Sequence, residues 1–303
     1  MTDLSRRDTL RVFGGAAAGA FLGAAGAGVL PEPMRRAIPS SGERIPVIGL
    51  GTWSTFDVGP SAASRAPLEE VLARFGERGG RVVDSSPMYG RSEEVVGAIA
   101  AKLRLTDRLF LATKLWTRGR EAGLGQIEAS ERLLGKKPLD LLQVHNLLDL
   151  ATHLATLRAL KDAGRVRYIG VTHYTASAYP EVERVLLREK LDFLQVNYSL
   201  AEREAEERVL PLAREKGVAV LVNRPFAGGE ALKRVLARPL PAWAAEFDCA
   251  SWPQFFLKWI LANPAVTCAI PATAKRAHLD DDLDAAFGRL PDEKLRRRME
   301  AAI

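Results

Sequence analysis

Arg81-Val82-Val83-Asp84-Ser85-Ser86-Pro87-Met88-Tyr89-Gly90-Arg91-Ser92-Glu93, running on through Glu94-Val95-Val96-Gly97-Ala98-Ile99-Ala100-Ala101-Lys102-Leu103, is the stretch that decides the fold. It opens with a short run rich in β-branched residues, too short for a helix and suited to a strand buried on both faces. Pro87 and Gly90 then interrupt any regular structure. Beyond them, apolar residues at 95, 96, 99, 100 and 103 follow the three- and four-residue spacing of one helix face. The stretch predicts a strand over Arg81 to Asp84, a loop, and a helix over Glu93 to Leu103.

Outward from that unit the same alternation recurs. Runs that read as strands are Leu109 to Lys114, Leu139 to His145, Tyr168 to Thr172, Phe193 to Asn197, Val218 to Asn223 and Thr267 to Pro271, with a first strand near Val47 to Gly49. Helical spacing occupies Leu150 to Ala163, Ala205 to Lys216 and Lys275 to Phe287. Strands separated by helices pair in parallel through right-handed crossovers. Eight of them over roughly 245 residues match an α/β chain closed into a (β/α)8 TIM barrel, a single domain over residues 45–303. An open doubly wound sheet is the alternative, and it lacks support because no Gly-x-Gly-x-x-Gly follows the first strand.

The chain has 303 residues, 47% apolar and 26% charged, which fits a globular protein with a large core. Its net charge of +6 comes from scattered helical pairs and a tail with Lys294, Arg296, Arg297 and Arg298. No aromatic-plus-basic stripe accompanies it, so a nucleic-acid partner is not expected. Cys249 and Cys268 have no His or Cys at metal-ligand spacing, so no metal site is expected. Whether the two thiols pair is left open.

Near the N-terminus, Ser5 to Arg11 carries the paired Arg6 and Arg7 and precedes an apolar run from Val12 to Leu30. This resembles a twin-arginine export signal over residues 1–30, with small residues Ala25, Gly26 and Ala27 at a cleavage site and a linker over 31–44. Gly and Ala dominate the run, which is weakly hydrophobic for a stable membrane anchor. The expected partner is the twin-arginine export machinery, and the expected location is the periplasm or beyond; an uncleaved arm on a cytoplasmic or membrane-associated protein is the alternative.

Three proton-active residues fall at carboxyl ends of the strands, where barrel enzymes place their catalysts: Asp84, Lys114 and His145. Tyr89 stands five residues after Asp84. Singly each has an ordinary explanation, as helix cap, packing ring, solvent-reaching ammonium or satisfied imidazole. Together they converge on one rim.

Those residues and their neighbours resemble the aldo-keto reductase family from Ile45 to about Phe287. The resemblance runs through Gly49 to Trp53, Val83 to Glu93, Thr113 to Trp116, Leu139 to His145, Ile169 to Thr172, Gln195 to Tyr198 and Ile270 to Thr273. It implies hydride transfer from a nicotinamide to the carbonyl of a small aldehyde or ketone. Tyr89 would be the general acid, Lys114 the ammonium that eases its proton release, Asp84 the carboxylate that holds Lys114, and His145 the residue that orients the carbonyl.

For the cofactor, the resemblance implies Thr52, Trp53, Thr172, His173, Gln195, the run Asn223, Arg224, Pro225, Phe226, and Thr273, Lys275 and Arg276. Asn223 to Phe226 replaces a Tyr-Ser-Pro-Leu stretch whose aromatic lies under the nicotinamide ring. Ala272, His278 and Asp282 stand where Lys, Arg and Asn are common near the 2′-phosphate. NADPH is the favoured cofactor, with NADH the alternative. Trp53, Phe56, Trp116 and Asn146 are expected to line an apolar substrate pocket, and Phe226 to Pro241 is long enough to close over the diphosphate. Two other functions remain open: a redox-sensing accessory protein, and an exported oxidoreductase that keeps its nicotinamide bound.

Overall fold

A computed structural model describes residues 32–303; the expected signal over 1–30 lies outside the described residues. The body begins with an antiparallel hairpin, β1 (Arg35–Ala37) and β2 (Arg44–Pro46), with Arg36 opposite Ile45. Most of the stretch read as a linker is therefore folded chain.

Eight parallel strands follow: β3 (Leu50–Gly51), β4 (Val82–Asp84), β5 (Phe110–Leu115), β6 (Leu139–His145), β7 (Val166–Thr172), β8 (Phe193–Asn197), β9 (Ala219–Asn223) and β10 (Val266–Ala269). They pair in sequence order. The ends of the sheet meet through a further ladder in which Ala269 N donates to Val47 O (2.9 Å), Gly49 N to Ala269 O (2.8 Å) and Gly51 N to Pro271 O (2.8 Å). The barrel is closed there. A Cβ on Gly49 would lie 2.9 Å from Val82 O and one on Gly51 2.8 Å from Ile270 O, so only glycine admits this approach.

Helices cover the outside: α1 (Ala62–Glu77), α2 (Ser92–Lys102), α3 (Arg120–Leu134), α4 (Leu150–Asp162), α5 (Tyr179–Arg188), α6 (Val209–Glu215), α7 (Glu230–Leu236), α8 (Trp252–Ala262), α9 (Arg276–Asp284) and α10 (Glu293–Glu300). The segment expected to supply a long closing loop contains α7 instead.

Period-two alternation sorts each strand. Val83, Leu111, Leu142, Ile169, Leu194 and Val220 join the core between sheet and helices, whereas Val82, Phe110, Ala112, Leu141, Tyr168, Phe193, Leu221 and Cys268 form the inner core. Near the amino ends of the strands the rings of Phe110, Tyr168 and Phe193 lie 5.6–5.9 Å apart. Ile38 and Ile45 of the hairpin region join this cluster, both fully buried. Toward the carboxyl ends the interior turns polar, through Asp84, Lys114, Gln143, His145, Thr172 and Gln195. Cys249 and Cys268 are buried free thiols.

Candidate active site

The polar end of the barrel opens into a cavity of about 670 Å³. Its wall includes Thr52, Trp53, Asp84, Tyr89, Trp116, His145, Asn146, Thr172, Gln195 and Asn223 to Phe226. A two-residue repeat brings the buried groups inward: Asp84 follows Val82, Lys114 follows Ala112, and His145 follows Gln143, each on the inner side of its strand.

Lys114 Nζ donates to Asp84 Oδ2 at 2.6 Å and to the Ser85 carbonyl at 2.7 Å. Both charged side chains are almost fully buried. Asp84 also accepts from Gln195 Nε2 (3.3 Å) and Gln143 Nε2 (3.5 Å), and Gln143 Nε2 donates to Gln195 Oε1 at 2.8 Å. Burial drives the carboxyl of Asp84 up, while Lys114 and the two amides act against that rise. For Lys114, burial favours the neutral amine, but Asp84 and Tyr89 overcome it and the pKa lies above the ordinary lysine value. The pair is an ammonium clamped by a carboxylate, because an amine would leave Asp84 with no cationic partner.

Above this pair, the Lys114 ammonium sits 4.9 Å from the centre of the Tyr89 ring. Burial raises the phenol pKa, Lys114 pulls it back, and the net position stays above the ordinary tyrosine value. Tyr89 is thus a protonated phenol at neutral pH, with a cation beside it to receive the phenolate. Its loop is held by Ser92, whose hydroxyl donates to Tyr89 O at 2.8 Å, and by Asp57 Oδ1, which accepts from Arg91 N at 3.0 Å.

His145 meets Tyr89 edge-on, ring centres 6.1 Å apart. Burial, with Lys114 and His173 nearby, lowers its pKa to about 3, so it is neutral. Its Nδ1 lies 3.3 Å from Ser86 Oγ. The arrangement offers a proton donor, a neutral polar ring and a buried cation around one space, which suits stabilising charge on an oxygen.

Eight of the residues expected to hold a cofactor, Thr52, Trp53, Thr172, Gln195 and Asn223 to Phe226, line the cavity. His173 does not: its Nδ1 accepts from Tyr174 N (3.1 Å) and Thr175 N (3.3 Å), so the ring serves its own loop. Thr273, Lys275 and Arg276 also lie outside the wall, at the start of α9, where Thr273 Oγ1 accepts from Lys275 N at 3.1 Å. Lys275 and Arg276 are exposed. Asn223 Oδ1 and Arg224 Nε are buried without protein partners, while the Arg224 guanidinium is 3.6 Å from Glu202. An unpaired amide oxygen and an under-used guanidinium in one wall suit a ligand with an amide and anionic groups, as a nicotinamide dinucleotide has.

Among the expected substrate-pocket residues, Trp53, Trp116 and Asn146 line the cavity; Phe56 is fully buried in the outer core. Sequence reasoning passed over Gln143 and Tyr174. Strand periodicity alone places Gln143 on the same face as His145. Tyr174, half exposed and stacked on His173 at 5.7 Å, belongs to a loop whose direction no pattern gives.

The profile of the Aldo/keto reductase family matches residues 47–303. An aldo-keto reductase of Mycobacterium sp. (strain KMS) is 31% identical over 257 residues, 81% of this chain and 85% of its own. The methylglyoxal reductase YeaE of Escherichia coli (strain K12) is 28% identical over 245 residues, 78% of this chain and 84% of its own. The crystal structure of an aldo/keto reductase from Klebsiella pneumoniae with NADP and acetate superposes with a TM-score of 0.73 at 27% identity, covering 86% of this chain and 92% of that one. With its closed barrel, its rim of Asp84, Tyr89, Lys114 and His145, and a profile match over most of its length, the chain belongs to the aldo/keto reductase family.

Proposed function

We propose that the protein reduces the carbonyl of a small aldehyde or ketone, with Tyr89 as the acid that protonates the oxygen. The observation that carries this reading is the buried Asp84–Lys114 pair at 2.6 Å under a protonated phenol in the cavity wall. A reduced nicotinamide, when bound, supplies the hydride that adds to the carbonyl carbon. As the C=O electron pair moves onto oxygen, Tyr89 releases its proton to that oxygen and Lys114 stabilises the phenolate left behind. His145, neutral, hydrogen-bonds the same oxygen and fixes its approach. Asp84 keeps Lys114 charged throughout.

Thr172, Gln195 and Asn223 would hold the nicotinamide end, and Arg224 the diphosphate. Lys275 and Arg276, exposed at the start of α9, would meet a 2′-phosphate, where helix amides and dipole add to their charge. This favours NADPH. The relatives named as reductases, and a structural neighbour with NADP, support the same reading. The test is turnover of NADPH and NADH against a panel of aliphatic, aromatic and dicarbonyl substrates. Oxidation of NADPH that depends on a carbonyl supports it; none with any substrate, despite tight cofactor binding, favours a redox-sensing role.

Export by the twin-arginine route is proposed on the strength of Arg6, Arg7 and the run to Leu30. The mass of the mature protein tests it: cleavage near Ala27 in an exported fraction is expected, and an intact N-terminus in the cytoplasm would contradict it.

A further inference from the structure

Ser86, in the loop that carries Tyr89, is fully buried, and the sequence assigns it no role. Its Oγ lies 3.3 Å from His145 Nδ1 and accepts from Met88 N at 3.4 Å. Among the described residues the hydroxyl makes no other side-chain hydrogen bond. Two arrangements of the His145 proton are then unequal. With the proton on Nε2, Nδ1 is an acceptor and the Ser86 hydroxyl hydrogen has a partner. With the proton on Nδ1, Nδ1 and Met88 N both donate to Ser86 Oγ, and the hydroxyl hydrogen is stranded in a buried space. Burying an unpaired donor is unfavourable, so the first arrangement prevails.

We propose that Ser86 is a positioning residue that fixes the tautomer of His145, leaving Nε2–H as the ring's donor to the cavity. Burial that keeps the ring neutral is a precondition, since an imidazolium has no tautomer to fix. The other tautomer would present a lone pair to the carbonyl oxygen and oppose the charge that develops there. This catalytic consequence rests on the reductase reading; the tautomer does not.

The experiment is a nitrogen–proton correlation spectrum of ¹⁵N-histidine-labelled, ligand-free protein. His145 is one of four histidines, and its signals are assigned by their loss in His145→Gln. The parent should show an unprotonated Nδ1 and a protonated Nε2. Ser86→Ala should shift His145 toward a mixture of tautomers and lower kcat about tenfold, with the Kd for NADPH unchanged. Ser86→Thr, which keeps the hydroxyl, should move both back toward the parent. A protonated Nδ1 in the parent would overturn the proposal, as would a Ser86→Ala spectrum identical to the parent's. If no carbonyl is reduced by the parent, the reductase reading fails while the spectrum still decides the tautomer.

Discussion

Lys114 and Asp84 each make the other's charge tolerable at a depth where both side chains are almost fully buried. Lys114→Met should therefore leave an uncompensated carboxylate and destabilise the protein by about 3–5 kcal/mol. Urea titration checks this, and the double variant Asp84→Asn with Lys114→Met should lose less than the sum of the single changes. The pH dependence follows from the directions of the shifts. Tyr89 donates only while protonated, and its pKa lies above the ordinary value, so kcat for reduction stays level through neutral pH and falls only in the alkaline range. His145, at about 3, adds no inflection near pH 6.5. A kcat profile that breaks between pH 6 and 7 would contradict this assignment. Asp84, Lys114 and His145 are legible in the sequence because strand ends place them, whereas Tyr89, a loop residue, is marked only by the family resemblance. Phe56 and His173 are not legible, since a loop residue's direction depends on contacts that no periodicity encodes.

At the scale of elements, the hairpin of β1 and β2 shows what the sequence withholds. Its strands have three residues each, too short for an alternating pattern, and only pairing reveals them. Its work is to seal the amino end of the barrel with Ile38 and Ile45, against Phe110, Tyr168 and Phe193. The Tyr168 hydroxyl and Ser41 Oγ, 2.8 Å apart, fasten its turn to the barrel, and Tyr168 donates to Glu43 at 2.8 Å. Ile45→Ala should cost about 2–5 kcal/mol by emptying a fully buried site while leaving the distant cavity intact. Denaturant melts paired with a cofactor titration check this; loss of cofactor affinity without loss of stability would contradict it. By contrast, the strands over 139–145 and 193–197 are read from sequence at their full lengths, because they are short apolar runs bounded by loops.

Across the whole molecule, the closed barrel separates a sealed amino end from an open carboxyl end, so structural and chemical residues occupy opposite halves of the same strands. Eight alternating units were enough to read the architecture, while closure depends on Val47 to Gly51 meeting Ala269 to Pro271 across more than two hundred residues. A ligand that binds only the folded barrel raises its stability by mass action, by about 2.7 kcal/mol at a hundred times its Kd. NADPH should accordingly raise Tm more than NADH at equal concentration, and the reverse order would remove the role given to Lys275 and Arg276. The central claim is that Tyr89 gives up the proton. Tyr89→Phe, compared with the parent by NADPH titration and single-turnover reduction, should bind cofactor with an unchanged Kd and reduce carbonyls about 10²- to 10⁴-fold more slowly. Reduction at the parent's rate would contradict the account.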